Sequence, residues 1–148
     1  MEPRRETEQQ REWERTCPEA ITSDVLWKLD AYRAALFLQH LSRADCRGIR
    51  AAKCAPTVED QLRAAAGSVS AHLSEGYSRS TRADRLRFLG YALGSIRECV
   101  SWYQSVRDIL PDLVIDERLT LIMRTRTMLL GFIRSIREGG GGSGTFER

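Results

Sequence analysis

Between Leu86 and Tyr103 the apolar residues Leu86, Leu89, Leu93, Ile96, Val100 and Tyr103 alternate spacings of three and four without a slip. A strand repeats every second residue, so this run reads as a helix. Its apolar positions form one continuous seam, of the kind that packs helices side by side in left-handed bundles. A chain with such a helix needs other helices to cover the seam.

Three more segments supply them, and nothing reads as a strand. One opens at Thr22 or Ser23, both good N-cap types, with Val25, Leu26, Leu29, Tyr32, Leu36 and Phe37 at helical spacing. A basic connector, DCRGIRAAKCAP, follows, with Gly48 and Pro56 as breakers. The next helix begins at Thr57, where T-V-E-D resembles a capping box with Asp60 in the glutamate place. Val58, Leu62, Ala65, Val69 and Leu73 share its face, and the small residues of AAAGSVSA let neighbours approach closely. Gly76 is a candidate C-terminal stop. After Pro111 the last helix starts near Asp116, with Leu119, Ile122, Leu129, Ile133 and Ile136 as its core face and Arg126 inside that face.

The expected fold is all-α, an antiparallel up-and-down four-helix bundle over residues 22–138. Residues 1–21 form a polar extension, frayed or disordered, and 139–148 a flexible Gly-rich tail. At 148 residues the chain suits one domain. No apolar run approaches the roughly 20 residues of a membrane helix, and the N-terminus has no apolar leader, so a cytoplasmic protein is expected.

Chemistry is sparse. Cys17, Cys46, Cys54 and Cys99 are irregularly spaced, which suggests thiols rather than disulfides. Cys46, Cys54 and His40 match no known zinc spacing, and no nucleotide or metalloprotease motif occurs. No metal, cofactor or catalytic residue is expected, and the chain does not read as an enzyme. Glu75 and Glu98 are expected to be partly buried and paired with arginine, Arg126 being the inward candidate.

The net charge is +3, but residues 1–19 hold six glutamates against four arginines, so the remainder carries +5. Arginine concentrates around one helix-to-helix turn, LSEGYSRSTRADRLRF, with Arg79, Arg82, Arg85 and Arg87. Arg79 and Arg82 there oppose the positive end of a helix dipole, a placement easier to understand if an outside anion partners them. Two readings stay open: a phosphate-binding patch, or a solvated surface neutralised by Asp84 and Glu75.

The stretch DQLRAAAGSVSAHLSEGYSRSTRADRLRFLGYALGSIREC resembles the four helix bundle proteins encoded in intervening sequences of large-subunit ribosomal RNA. The pieces that carry the resemblance are Gln61-Leu62-Arg63, Glu75-Gly76-Tyr77 with Arg79, Arg87-Phe88-Leu89, and Ala92-Leu93-Gly94-Ser95 with Glu98. Ser70, His72 and Ser74 depart from it, standing where proline, asparagine and alanine are usual. The same fold family includes the accessory variability determinants of diversity-generating retroelements. The resemblance implies a ring-like homo-oligomer, a pentamer, whose basic surface engages nucleic acid or a reverse transcriptase. Glu75, Gly76 and Tyr77 are then the structural turn, with Glu98 and Arg126 as structural partners. Arg79, Arg82, Arg85 and Arg87, with Arg124 of the last helix, are the candidate nucleic-acid contacts, to RNA or DNA. Tyr91 and Trp102 on one outer stripe, and Leu121, Met128 and Phe132 on another, are the candidate oligomer interface.

Overall fold

The computed structural model describes residues 6–53 and 56–139. Cys54 and the tail from residue 140 lie outside the described residues. Among the described residues there is no strand. The described residues form six α-helices: α1 (Glu8–Glu14), α2 (Glu19–Thr22), α3 (Asp30–Ala51), α4 (Pro56–Tyr77), α5 (Arg82–Ser105) and α6 (Asp112–Glu138), with a 3-10 turn at Val25–Lys28. The all-helical expectation holds. The long helices pack in sequence, α3 on α4, α4 on α5 and α5 on α6, and α6 returns onto α3.

The seam of α5 turns Leu89, Ile96 and Tyr103 fully inward, with Ala92 and Cys99 beside them, while Leu86, Leu93 and Val100 pack half-buried at its edge. They meet Leu62, Val69 and Leu73 of α4, Leu38 of α3, and Ile122 and Leu129 of α6, each fully buried. Burying each such side chain is worth roughly 1.5–3 kcal/mol, which is why the apolar periodicity fixes the fold.

Several boundaries differ from the sequence reading. The first long helix does not open at Thr22 or Ser23. Asp24 instead caps the 3-10 turn, its carboxylate accepting from the Leu26 amide at 2.8 Å, and Leu29 is extended before α3 begins. Val25, expected on the core face, is half exposed. Gly48 does not break the chain either. Most of the supposed basic connector is the last part of α3, and Gly48 lies where a Cβ would sit 3.4 Å from Leu110. The helix stops beyond Ala51, where Lys53 takes a φ of 54°, a left-handed conformation more usual for glycine. Pro56 rather than Thr57 opens α4, and Asp112 rather than Asp116 opens α6. Proline suits a first helical turn because it has no N–H to leave unpaired.

Within the N-terminal extension the described residues include a helix packed on the long helices. Thr7 caps α1 by accepting from the Gln10 amide, and the helix docks on α3. The Trp13 ring lies 5.4 Å from Phe37 and 5.6 Å from His40. Arg33 of α3 pairs with Glu6 at 2.7 Å and Glu14 at 3.3 Å.

Candidate nucleic-acid interface

The turn between α4 and α5 is built around Gly76. It is not a left-handed stop, since no described glycine has a positive φ and α4 continues through Tyr77. A Cβ at Gly76 would sit 3.2 Å from Phe88 Cβ and 3.3 Å from the Arg85 carbonyl oxygen. The glycine is there so that the two helices can touch. Five residues later Thr81 caps α5, its hydroxyl accepting from the Asp84 amide at 3.2 Å.

This close crossing presents the four arginines at one end of the molecule. Arg79 lies over Phe88, its guanidinium carbon 4.4 Å from the ring centre, and Arg87 approaches the same ring at 5.4 Å while pairing with Asp84 at 3.2 Å. Arg85 donates through Nε to the Arg79 carbonyl at 2.6 Å. Arg82 donates to the Arg137 carbonyl in the last turn of α6. That contact changes the dipole argument. Arg82 stands against the positive end of α5, but the carbonyl end of α6 offsets this from within the chain. Arg137 is itself exposed at the same end, an addition the sequence could not supply because it lies 55 residues away from Arg82.

Arg124 does not belong to this set. It is 6 % exposed, beneath α1, where it donates to the Gln10 side-chain oxygen. Burial pulls its pKa down, opposed by the charges of Glu6 and Glu14.

The expected interface residues separate as well. Tyr91 is 49 % exposed. Trp102 is half-buried in a shallow groove with Gln61, Gly94, Arg97 and Ser101. Leu121 is buried within its own chain and is not available to a partner. Met128 and Phe132 are half-buried along a second groove, and Phe132 stacks on Tyr77 at 6.3 Å. The largest exposed apolar side chains of α6 are instead Leu113, Met123 and Leu130.

Glu75 and Glu98 are exposed rather than partly buried, and neither forms the expected pair with Arg126. Arg126 lies against Met123, Nη2 to Sδ 3.1 Å. Among the described residues the buried carboxylates are Asp45 and Glu59. Asp45 accepts from Tyr103 at 2.6 Å and from Arg118 at 2.7 Å. Burial first, and then Asp45, push the Tyr103 phenol well above the usual tyrosine range. Glu59 is gripped by Arg50 and Arg63. Cys46 and Cys99 are buried free thiols, the latter pushed up to about 12 chiefly by burial. These carboxylates and thiols are buried against neighbouring helices and read as fold supports.

The family model of the 23S rRNA-intervening sequence protein matches residues 50–129. The chain belongs to this family. The matched span contains α4, α5 and most of α6, and therefore the Gly76 crossing and the arginines around it. The helix α1 and nearly all of α3 precede it. A solved structure from Bacteroides thetaiotaomicron VPI-5482, described as a protein with unknown function from the S23 ribosomal protein family, has the same fold. Its TM-score is 0.67 at 14 % identity, over 70 % of this chain and 98 % of that one. None of the curated proteins matches the chain.

Proposed function

We propose that this chain is a non-enzymatic accessory protein that binds the phosphate backbone of nucleic acid and works as a ring-like oligomer of antiparallel four-helix bundles. The observation that carries the reading is the grouping of Arg79, Arg82, Arg85 and Arg87 at one helix crossing. The family's name, which refers to a 23S rRNA intervening sequence, favours a nucleic-acid context. Arginine's planar fork suits phosphate. One copy of the patch binds weakly, whereas several copies on one particle act at a raised effective concentration.

The test is a salt titration of binding to unrelated RNA and DNA fragments. Arg79→Ser with Arg87→Ser is the useful variant, because Arg82 and Arg85 also tie backbone carbonyls and their loss would disturb the turn. The wild type should lose affinity as salt rises, by roughly 0.7–0.9 log units per phosphate contact per decade of salt. The double variant should bind more weakly on every sequence and with a flatter slope. Equal slopes for the two proteins would reduce the patch to a solvated surface.

A second reading, an adaptor for a protein such as a reverse transcriptase, is favoured by the Trp102 groove. Trp102→Glu should lower the subunit number, or the affinity for such a partner, without loss of helicity. A clean monomer of wild type at micromolar concentration in ultracentrifugation would remove the ring.

A further inference from the structure

His72 of α4 and Phe88 and Tyr91 of α5 come together on the outside of the α4–α5 pair. The Tyr91 ring is 5.5 Å from His72 and 5.6 Å from Phe88, meeting the latter edge-on at 88°. The sequence hides this cluster because its histidine belongs to the preceding helix. Phe88 and His72 are half-buried, and Tyr91 is 49 % exposed, so the three rings make a shelf with one open aromatic on top. His72 Nδ1 is shut off from solvent and has no hydrogen-bond partner. Arg79 and Arg87, at 4.4 and 5.4 Å from Phe88, rim the shelf with cations. Beside Tyr91, Gly90 and Gly94 have nothing within 4 Å of where a Cβ would stand.

We infer that this face takes single-stranded nucleic acid, with a base stacked on Tyr91 and the adjoining phosphates on Arg79 and Arg87. The inference rests on the nucleic-acid reading proposed above and narrows it. A duplex keeps its bases stacked on one another and offers a rim of arginines only phosphate, so an exposed ring adds nothing to its binding. An unpaired base has a free π-face, and aromatic platforms beside basic grooves are how single strands are held without sequence preference. The charge of the rim selects a polyanion over an apolar protein surface.

The experiment compares fluorescence anisotropy of a labelled single-stranded RNA of about 12 nucleotides with the same strand annealed to its complement. At one salt concentration the wild type should bind the single strand more tightly. Tyr91→Ala should weaken single-strand binding by roughly 5- to 150-fold, the range of one base-on-ring stack. It should leave duplex binding and the salt slope unchanged, and Tyr91→Phe should restore the wild-type value. Duplex bound as tightly as single strand, or a Tyr91→Ala protein that binds both as wild type does, overturns the inference. A change in subunit number with Tyr91→Ala also overturns it, assigning the shelf to a protein interface. If Arg79→Ser with Arg87→Ser weakens binding while the ring variants are neutral, only the stacking falls. If neither set changes binding, or nothing binds, the nucleic-acid reading falls with it.

Discussion

Arg118 of α6 grips Asp45 of α3 with both arms of its guanidinium, Nε to Oδ2 at 2.7 Å and Nη2 to Oδ1 at 3.2 Å, and both side chains are buried. Tyr103 of α5 donates to the same carboxylate at 2.6 Å, so one buried acid ties three helices. Removing one partner of such a pair leaves the other charged in the interior without its main counter-ion. Arg118→Met or Asp45→Leu should therefore cost about 3–5 kcal/mol. The double variant Asp45→Leu with Arg118→Met should be much less damaging than the two losses added. Urea unfolding of the four proteins checks this, and strict additivity would show that the pair is not coupled.

Glu59 gives a pH dependence. The hydrogen bond from Arg50 holds its carboxyl below the ordinary value of 4.5, against the burial that would raise it and with help from the charge of Arg63. A carboxyl depressed in the folded state contributes stability above its unfolded value and loses it as pH falls through the folded value. The melting temperature of the wild type should thus fall on acidification below about pH 4.5. Glu59→Gln should melt lower than wild type at neutral pH, with the gap narrowing toward acid. A constant gap from pH 7 to 3 would mean that the clamp does not depend on the charge of Glu59.

Two glycines should respond in opposite ways. At Gly76 an added Cβ meets Phe88 and a backbone oxygen at 3.2–3.3 Å, and backbone cannot swing aside. Gly76→Leu should cost about 1–3 kcal/mol. Gly94 lies in α5 with nothing within 4 Å of the Cβ position, and Gly94→Ala should stabilise by up to about 1 kcal/mol. Chemical denaturation reads both, and the same sign for the two would refute the assignment of Gly76 as a contact residue.

The docking of α1 depends on few groups: the Trp13 ring, Gln10 on Arg124, and the carboxylates of Glu6 and Glu14 on Arg33. A helix of 7 residues does not persist alone in water. Trp13→Ala should therefore raise amide exchange across residues 8–14 to nearly unprotected rates while α4 and α5 stay protected. Unchanged protection would mean that the polar contacts suffice.

What the sequence revealed and what it concealed divide along a physical line. The α4 face from Leu62 to Leu73 and the α5 seam were legible because burial acts on every turn of a helix. The length of α3 was not, because Gly48 reads as a breaker, and its tolerance comes from packing near Leu110. Asp45 opens what reads as a basic connector, and only Arg118, 73 residues on, makes it an interior group. Arg124 sits among the arginines of α6, and nothing local marks it as the one that α1 covers. The aromatic shelf was missed for the same reason, since His72 and Tyr91 belong to different helices.

The long span between Gln10 and Arg124, 114 residues, bears on the order in which the chain assembles. The α4–α5 hairpin closes through four residues, fewer than the six between α5 and α6, and so has a small loop entropy to overcome. The Arg118–Asp45 tie follows once α6 has come back to α3. Only then does Arg124 stand where Gln10 can reach it. In a refolding time course Trp13 should therefore be the last indole to lose contact with water, so its arrival marks a chain whose long helices are already in place.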